Sequence, residues 1–135
     1  MAYIKYKELT KYFYFYKELD ISTLPKYVFD YVNEEEEVIR AYATAKDRSI
    51  FTTKRMILFD IRSFPNKKKI FIIPYKNISI SSLQFGKDNA TLLLYLISGN
   101  PLKIKFINLS PEDKIRLRKL YNYMADTILG FKQTL

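Results

Sequence analysis

The sequence predicts a mainly β fold of the α+β class: about seven antiparallel strands, one amphipathic helix after them and a helical arm before them. Three observations predict it. Short runs rich in Ile, Leu, Phe and Val recur between Val38 and Ile107, separated by turn residues. Leu102, Ile104 and Phe106 alternate with Lys103 and Lys105, the two-residue period of a half-buried strand. From Ser110 onward the period becomes that of a helix, with start and stop signals at its ends.

The elements follow in order. In the arm, Tyr6, Leu9, Phe13, Tyr16 and Leu19 recur at spacings of three and four, one face of a helix. The run Tyr12-Phe13-Tyr14-Phe15-Tyr16 also has strand propensity. Asp20 to Pro25 is a break, and Pro25 suits the start of a short second helix reaching about Tyr31. Strands are expected over Val38–Ala45, Ser49–Thr52, Met56–Ile61, Ile70–Ile73, Ile78–Leu83, Thr91–Ser98 and Leu102–Phe106. Turns fall at Lys46-Asp47, at the Lys-rich tip around Pro65-Asn66, at Gly86–Asn89 and at Gly99-Asn100-Pro101. Ser110 is a good N-cap, Pro111 suits the first helical position, and Glu112 and Asp113 complement the helix dipole. Ile115, Leu120, Met124 and Ile128, joined by Leu117 and Tyr121, make the apolar stripe, and Gly130 stops the helix.

The 135 residues fit one domain, or one domain and an arm, and can bury a core without staples. There is no Cys and no His, which excludes disulfides, thiolate metal sites, thiol catalysis and the usual imidazole base. Three glycines in all leave no phosphate-cradling loop, and the scattered Asp47, Asp60 and Asp88 make no acid/base pair. No cofactor, metal or small-molecule substrate is expected. Charged residues interrupt every apolar run near the N-terminus, so a cytoplasmic protein is expected. The formal net charge is +9, unevenly spread. Residues 1–37 hold five Lys against eight Asp+Glu, and residues 38–135 hold eighteen Lys+Arg against six Asp+Glu, so the two parts carry −3 and +12. The boundary run Glu34–Glu37 reads as a solvated stretch opening the domain, with docking on the basic body as the alternative.

The middle of the chain resembles the bacterial pleckstrin-homology-like (PH-like) family. The residues that carry the likeness are the acidic lead-in Val32–Val38, Lys46-Asp47-Arg48, Phe51-Thr52-Thr53-Lys54-Arg55, Met56–Asp60 and Ile73-Pro74-Tyr75-Lys76-Asn77-Ile78. The resemblance spans roughly residues 32–129. It implies a seven-stranded bent antiparallel sheet or partly open barrel capped by the C-terminal helix. The division is then an arm over 1–31 and a PH-like domain over 32–135. It also implies no catalytic residues, and several family members look ring-forming or otherwise self-associating.

A structural role is expected for Asp47, Phe51, Thr52, Arg55, Pro74 and Tyr75. Phe51 belongs in the core, Thr52 stabilises a turn, and Arg55 has Asp47 and Asp60 near in sequence for a bidentate pair. Pro74 ends a ladder and Tyr75 buries its ring while its hydroxyl finds a partner. Arg62, Lys67, Lys68 and Lys69 are the candidate binding residues, the densest positive charge, at a hairpin tip. The expected function is a non-enzymatic PH-like module that self-associates or scaffolds through protein contacts. Two alternatives stand beside it. One is a polyanion binder meeting anionic lipid or nucleic acid through the Lys-rich hairpin. The other is an adaptor or inhibitor whose basic face meets an acidic protein.

Overall fold

The computed structural model describes residues 11–45, 47–61, 68–99 and 101–130. The strands are β1 (Lys11–Glu18), β2 (Val38–Thr44), β3 (Arg48–Thr52), β4 (Arg55–Ile61), β5 (Lys68–Pro74), β6 (Ile78–Phe85), β7 (Ala90–Leu96) and β8 (Pro101–Phe106). The helices are α1 (Lys26–Phe29) and α2 (Pro111–Leu129). Seven of the strands are those expected; β1 is the eighth. The chain divides into two compact units, one within residues 15–75 and one whose described residues are 11–14, 76–99 and 101–130.

In the first unit the strands run in the order β5-β4-β3-β2-β1, each pair antiparallel. The expected helix through Tyr6, Leu9, Phe13, Tyr16 and Leu19 is corrected here. Tyr6 and Leu9 lie outside the described residues, and the rest of that stripe falls in or just after a strand. The reason is visible in the burial. Tyr14 is 45% exposed, Phe15 1% and Tyr16 39%, a period of two, and aromatic residues favour the pleated surface. Phe15 stacks on Tyr42 at 5.5 Å and meets Phe51 edge-on at 6.2 Å. The ladder between β1 and β2 is bulged between Phe15 and Lys17.

The sheet of this unit is buried on both faces. Phe51, opposite Met56, points to one side and Ile50, opposite Ile57, to the other. That second side is covered by the segment linking β1 to β2. Leu24 and Val28 pack there with Ala41, Ile50, Ile57 and Phe59. The segment enters by an Asp20 cap, whose carboxylate accepts from the Ser22 N–H at 3.0 Å, and α1 follows directly on Pro25. Full burial of a residue such as Val28 contributes about 1.5–3 kcal/mol, so the covering is an apolar contact first.

In the second unit β8, β7 and β6 form an antiparallel meander. Leu92 sits opposite Ile104 and Leu94 opposite Leu102, all buried. Gly99 turns between β7 and β8 at φ 91°, a conformation side chains resist. α2 opens with a reciprocal cap: Ser110 Oγ accepts from the Asp113 N–H at 3.1 Å, and Asp113 Oδ2 from the Ser110 N–H at 3.0 Å. It stops at Gly130, which is left-handed at φ 76°. Leu117, Leu120 and Met124 are buried, but Ile115, expected in the stripe, is 46% exposed. It lies about 200° round the helix from Leu117, off the buried side.

Candidate functional site

The lead-in to β2 folds back on the β3–β4 turn, and one acidic residue makes the joint. Glu36 is buried between two hydrogen-bonding arms of Arg55, with Nε to Oε2 at 2.8 Å and Nη2 to Oε1 at 2.9 Å. The Thr52 hydroxyl also donates to Glu36 Oε2, and the Asn33 N–H donates to Oε1 at 3.1 Å. Arg55 Nη2 reaches the Tyr31 carbonyl at 2.6 Å. Burial acts to raise the Glu36 pKa. The hydrogen bonds from Arg55, Thr52 and Asn33, with the charge of Arg55, outweigh it and bring the carboxyl down to about 2. So Glu36 is no part of a solvated run, in contrast to the expectation for Glu34–Glu37; Glu34, Glu35 and Glu37 are exposed. Arg55 has Glu36 as its bidentate partner instead of an aspartate near in sequence.

Asp47 serves a second joint of the same segment. Its carboxylate accepts from the Tyr27 hydroxyl at 2.8 Å and from Arg48 Nε at 2.9 Å. Burial, then the hydrogen bond to Asp47 and its charge, push the Tyr27 phenol up to about 12, with Arg48 opposing. Thr52 accepts the Lys54 and Arg55 N–H groups at 3.1 and 3.0 Å, tying the turn before β4. Phe51 is fully buried. Pro74 ends β5 opposite Arg55, and the buried Tyr75 donates its hydroxyl to the Thr52 carbonyl at 2.7 Å.

The candidate binding residues fall elsewhere. Arg62 and Lys67 lie outside the described residues, and Lys68 and Lys69 open β5, Lys69 opposite Asp60 in the ladder. Among the described residues no three acidic side chains group to hold a metal ion.

What the two joints hold in place is an aromatic surface. Tyr27 and Tyr31 meet Phe59 edge-on, each at 5.7 Å between ring centres. Tyr31 nevertheless stays 40% exposed and Phe29 44%. The segment therefore turns its aliphatic residues and Tyr27 to the sheet and leaves Phe29 and Tyr31 half in solvent. The carboxylates of Asp30, Glu34 and Glu35 are exposed in the same stretch.

Antiparallel strands followed by one C-terminal helix are the architecture of a PH-like fold. Comparison with known proteins agrees. The family model for the bacterial PH domain matches residues 9–128, and the chain belongs to that family. A crystal structure of a DUF1696 family protein with a pleckstrin-homology domain from Shewanella loihica PV-4 is similar, at TM-score 0.65 and 22% identity, over 82% of this chain and 95% of that one. A pleckstrin homology domain from Shewanella amazonensis SB2B is 27% identical at TM-score 0.54, over 76% of this chain and 85% of that one. The protein YozO of Bacillus subtilis (strain 168) is 35% identical over 65 residues, which span 45% of this chain and 57% of that protein. No helix among the described residues is long and apolar enough to cross a membrane.

Proposed function

We propose that the chain is a non-enzymatic PH-like interaction module of the cytoplasm that self-associates through the exposed rings of Phe29 and Tyr31 on the segment between β1 and β2. The observation that carries the reading is the exposure of Phe29 and Tyr31 on a segment whose other side is fastened to the sheet. Large rings left partly exposed favour burial against another surface. Charge supports a contact between copies. The first 37 residues carry a net −3 and the rest +12, so the acidic segment of one copy complements the basic body of the next. Multi-angle light scattering on the full chain over a concentration series tests this. The reading expects a mass above 16.1 kDa at high concentration, returning to that value for Phe29→Ser with Tyr31→Ser. A wild-type monomer at every concentration contradicts it.

A second reading, contact with polyanions, is favoured by the +12 balance of residues 38–135. Its test is binding to anionic vesicles and to single-stranded nucleic acid at low and high salt. Changing Lys67, Lys68 and Lys69 together to Glu is expected to abolish the salt-sensitive part; unchanged affinity removes the hairpin from the account.

A further inference from the structure

The two end strands of the described ladders are finished differently. β5 opens with Lys68 and Lys69 and closes on Pro74, features that keep a strand edge from pairing. β6 pairs with β7 and has no second neighbour among the described strands. Its eight residues, Ile-Ser-Ile-Ser-Ser-Leu-Gln-Phe, contain no charge, no proline and no glycine. Ile80 is 64% exposed on one face of it and Phe85 41% on the other. An uncharged edge with apolar side chains on both faces is a template for another strand.

α2 stands beside this edge. Tyr121 OH and Ser81 Oγ are 3.0 Å apart, and Lys114 Nζ donates to the Gly86 carbonyl at 2.8 Å. At 100° per residue, Arg118 and Ala125 come next round the helix from Lys114 and Tyr121, away from the buried side. Arg118 is exposed, and the exposed Lys76 and Lys87 bracket β6 at its two ends. A second copy pairing here edge to edge sets these cations against their own counterparts. An acidic partner meets them with opposite charge.

We infer that the β6 edge, with the flank of α2, takes up an extended acidic segment of a different protein as an added strand. Apolar residues at alternate positions of that segment lie on the Ile80 face, and the carboxylates between them, on the face of Ser81 and Phe85 that the helix flanks, meet Lys76, Lys87 and Arg118. The inference deepens the interaction-module reading at a separate surface and rests on that reading. Light scattering judges the aromatic face; the following experiment judges β6.

The full chain, labelled with nitrogen-15, is titrated with an acetylated peptide of about ten residues alternating Val and Glu. Two controls are the same peptide N-methylated at alternate residues and its Val–Lys counterpart. The expected result is amide shifts and slowed hydrogen exchange over Ile80–Phe85 with the acidic peptide alone, weakened tenfold or more by Arg118→Glu with Lys76→Glu. Unmoved β6 amides, equal binding of either control, or β6 protection that grows with protein concentration before any peptide is added would each overturn it. The last of these assigns the edge to a second copy.

Discussion

Arg55 and Glu36 stand nineteen residues apart in the chain and meet in a two-point ion pair that leaves the Glu36 side chain 1% exposed. Taking away one partner of such a pair strands the other charge, a loss of about 3–5 kcal/mol. Arg55→Leu and Glu36→Gln are therefore each expected to lower the denaturant midpoint strongly. The double variant is expected to lose clearly less than the two single losses combined, as a double-mutant cycle reads it.

The same pair sets an acid sensitivity. Glu36 titrates at about 2 in the folded chain, below its ordinary 4.5, so the folded state favours the ionised form. The stability this supplies is complete above about pH 4.5 and is lost as pH falls toward 2. Asp20, held low by the Ser22 N–H and hydroxyl, acts in the same direction. The Glu36 share is thus read as the difference between wild type and Glu36→Gln, and melting temperatures between pH 5 and 2 are expected to converge as pH drops.

Tyr27 gives the opposite window. Its phenol is pushed up to about 12, so the folded chain keeps the proton longer than the unfolded one. The contribution is present below pH 10 and is lost as pH rises toward 12. Ultraviolet titration is expected to show a late-ionising phenol that Tyr27→Phe removes. That substitution also gives up a hydrogen bond to a carboxylate, roughly 1.5–3 kcal/mol.

Val28 and Phe29 are neighbours with opposite duties. Val28 is fully buried and Phe29 is 44% exposed. Val28→Ala is expected to cost about 1–3 kcal/mol of stability. Phe29→Ser is expected to stay within about 0.5 kcal/mol by chemical denaturation of the dilute protein, while changing its assembly.

β2 through β8 and the long helix were legible in the sequence because each carries its own local signal. Leu102–Phe106 alternates, and Ser110 and Gly130 mark helix ends by chemistry that needs no distant partner. β1 was not, because the aromatic run at 12–16 satisfies a helical spacing and a strand spacing at once; pairing with β2 decides between them. Glu36 was hidden for a different reason. It sits among four consecutive glutamates, and what distinguishes it is a guanidinium brought close only by the fold. A buried Tyr75 hydroxyl needs a partner on chemical grounds alone, but the Thr52 carbonyl that meets it is likewise set by tertiary geometry.

The central claim, that the outward rings of the covering segment are a contact surface between copies, is tested most directly by hydrogen–deuterium exchange of the full chain across a wide concentration range. The account predicts that backbone amides from Lys26 to Asn33 become more protected as concentration rises, and that Phe29→Ser abolishes the effect. Exchange in that stretch that is independent of concentration, in a solution where light scattering detects assembly, would contradict it.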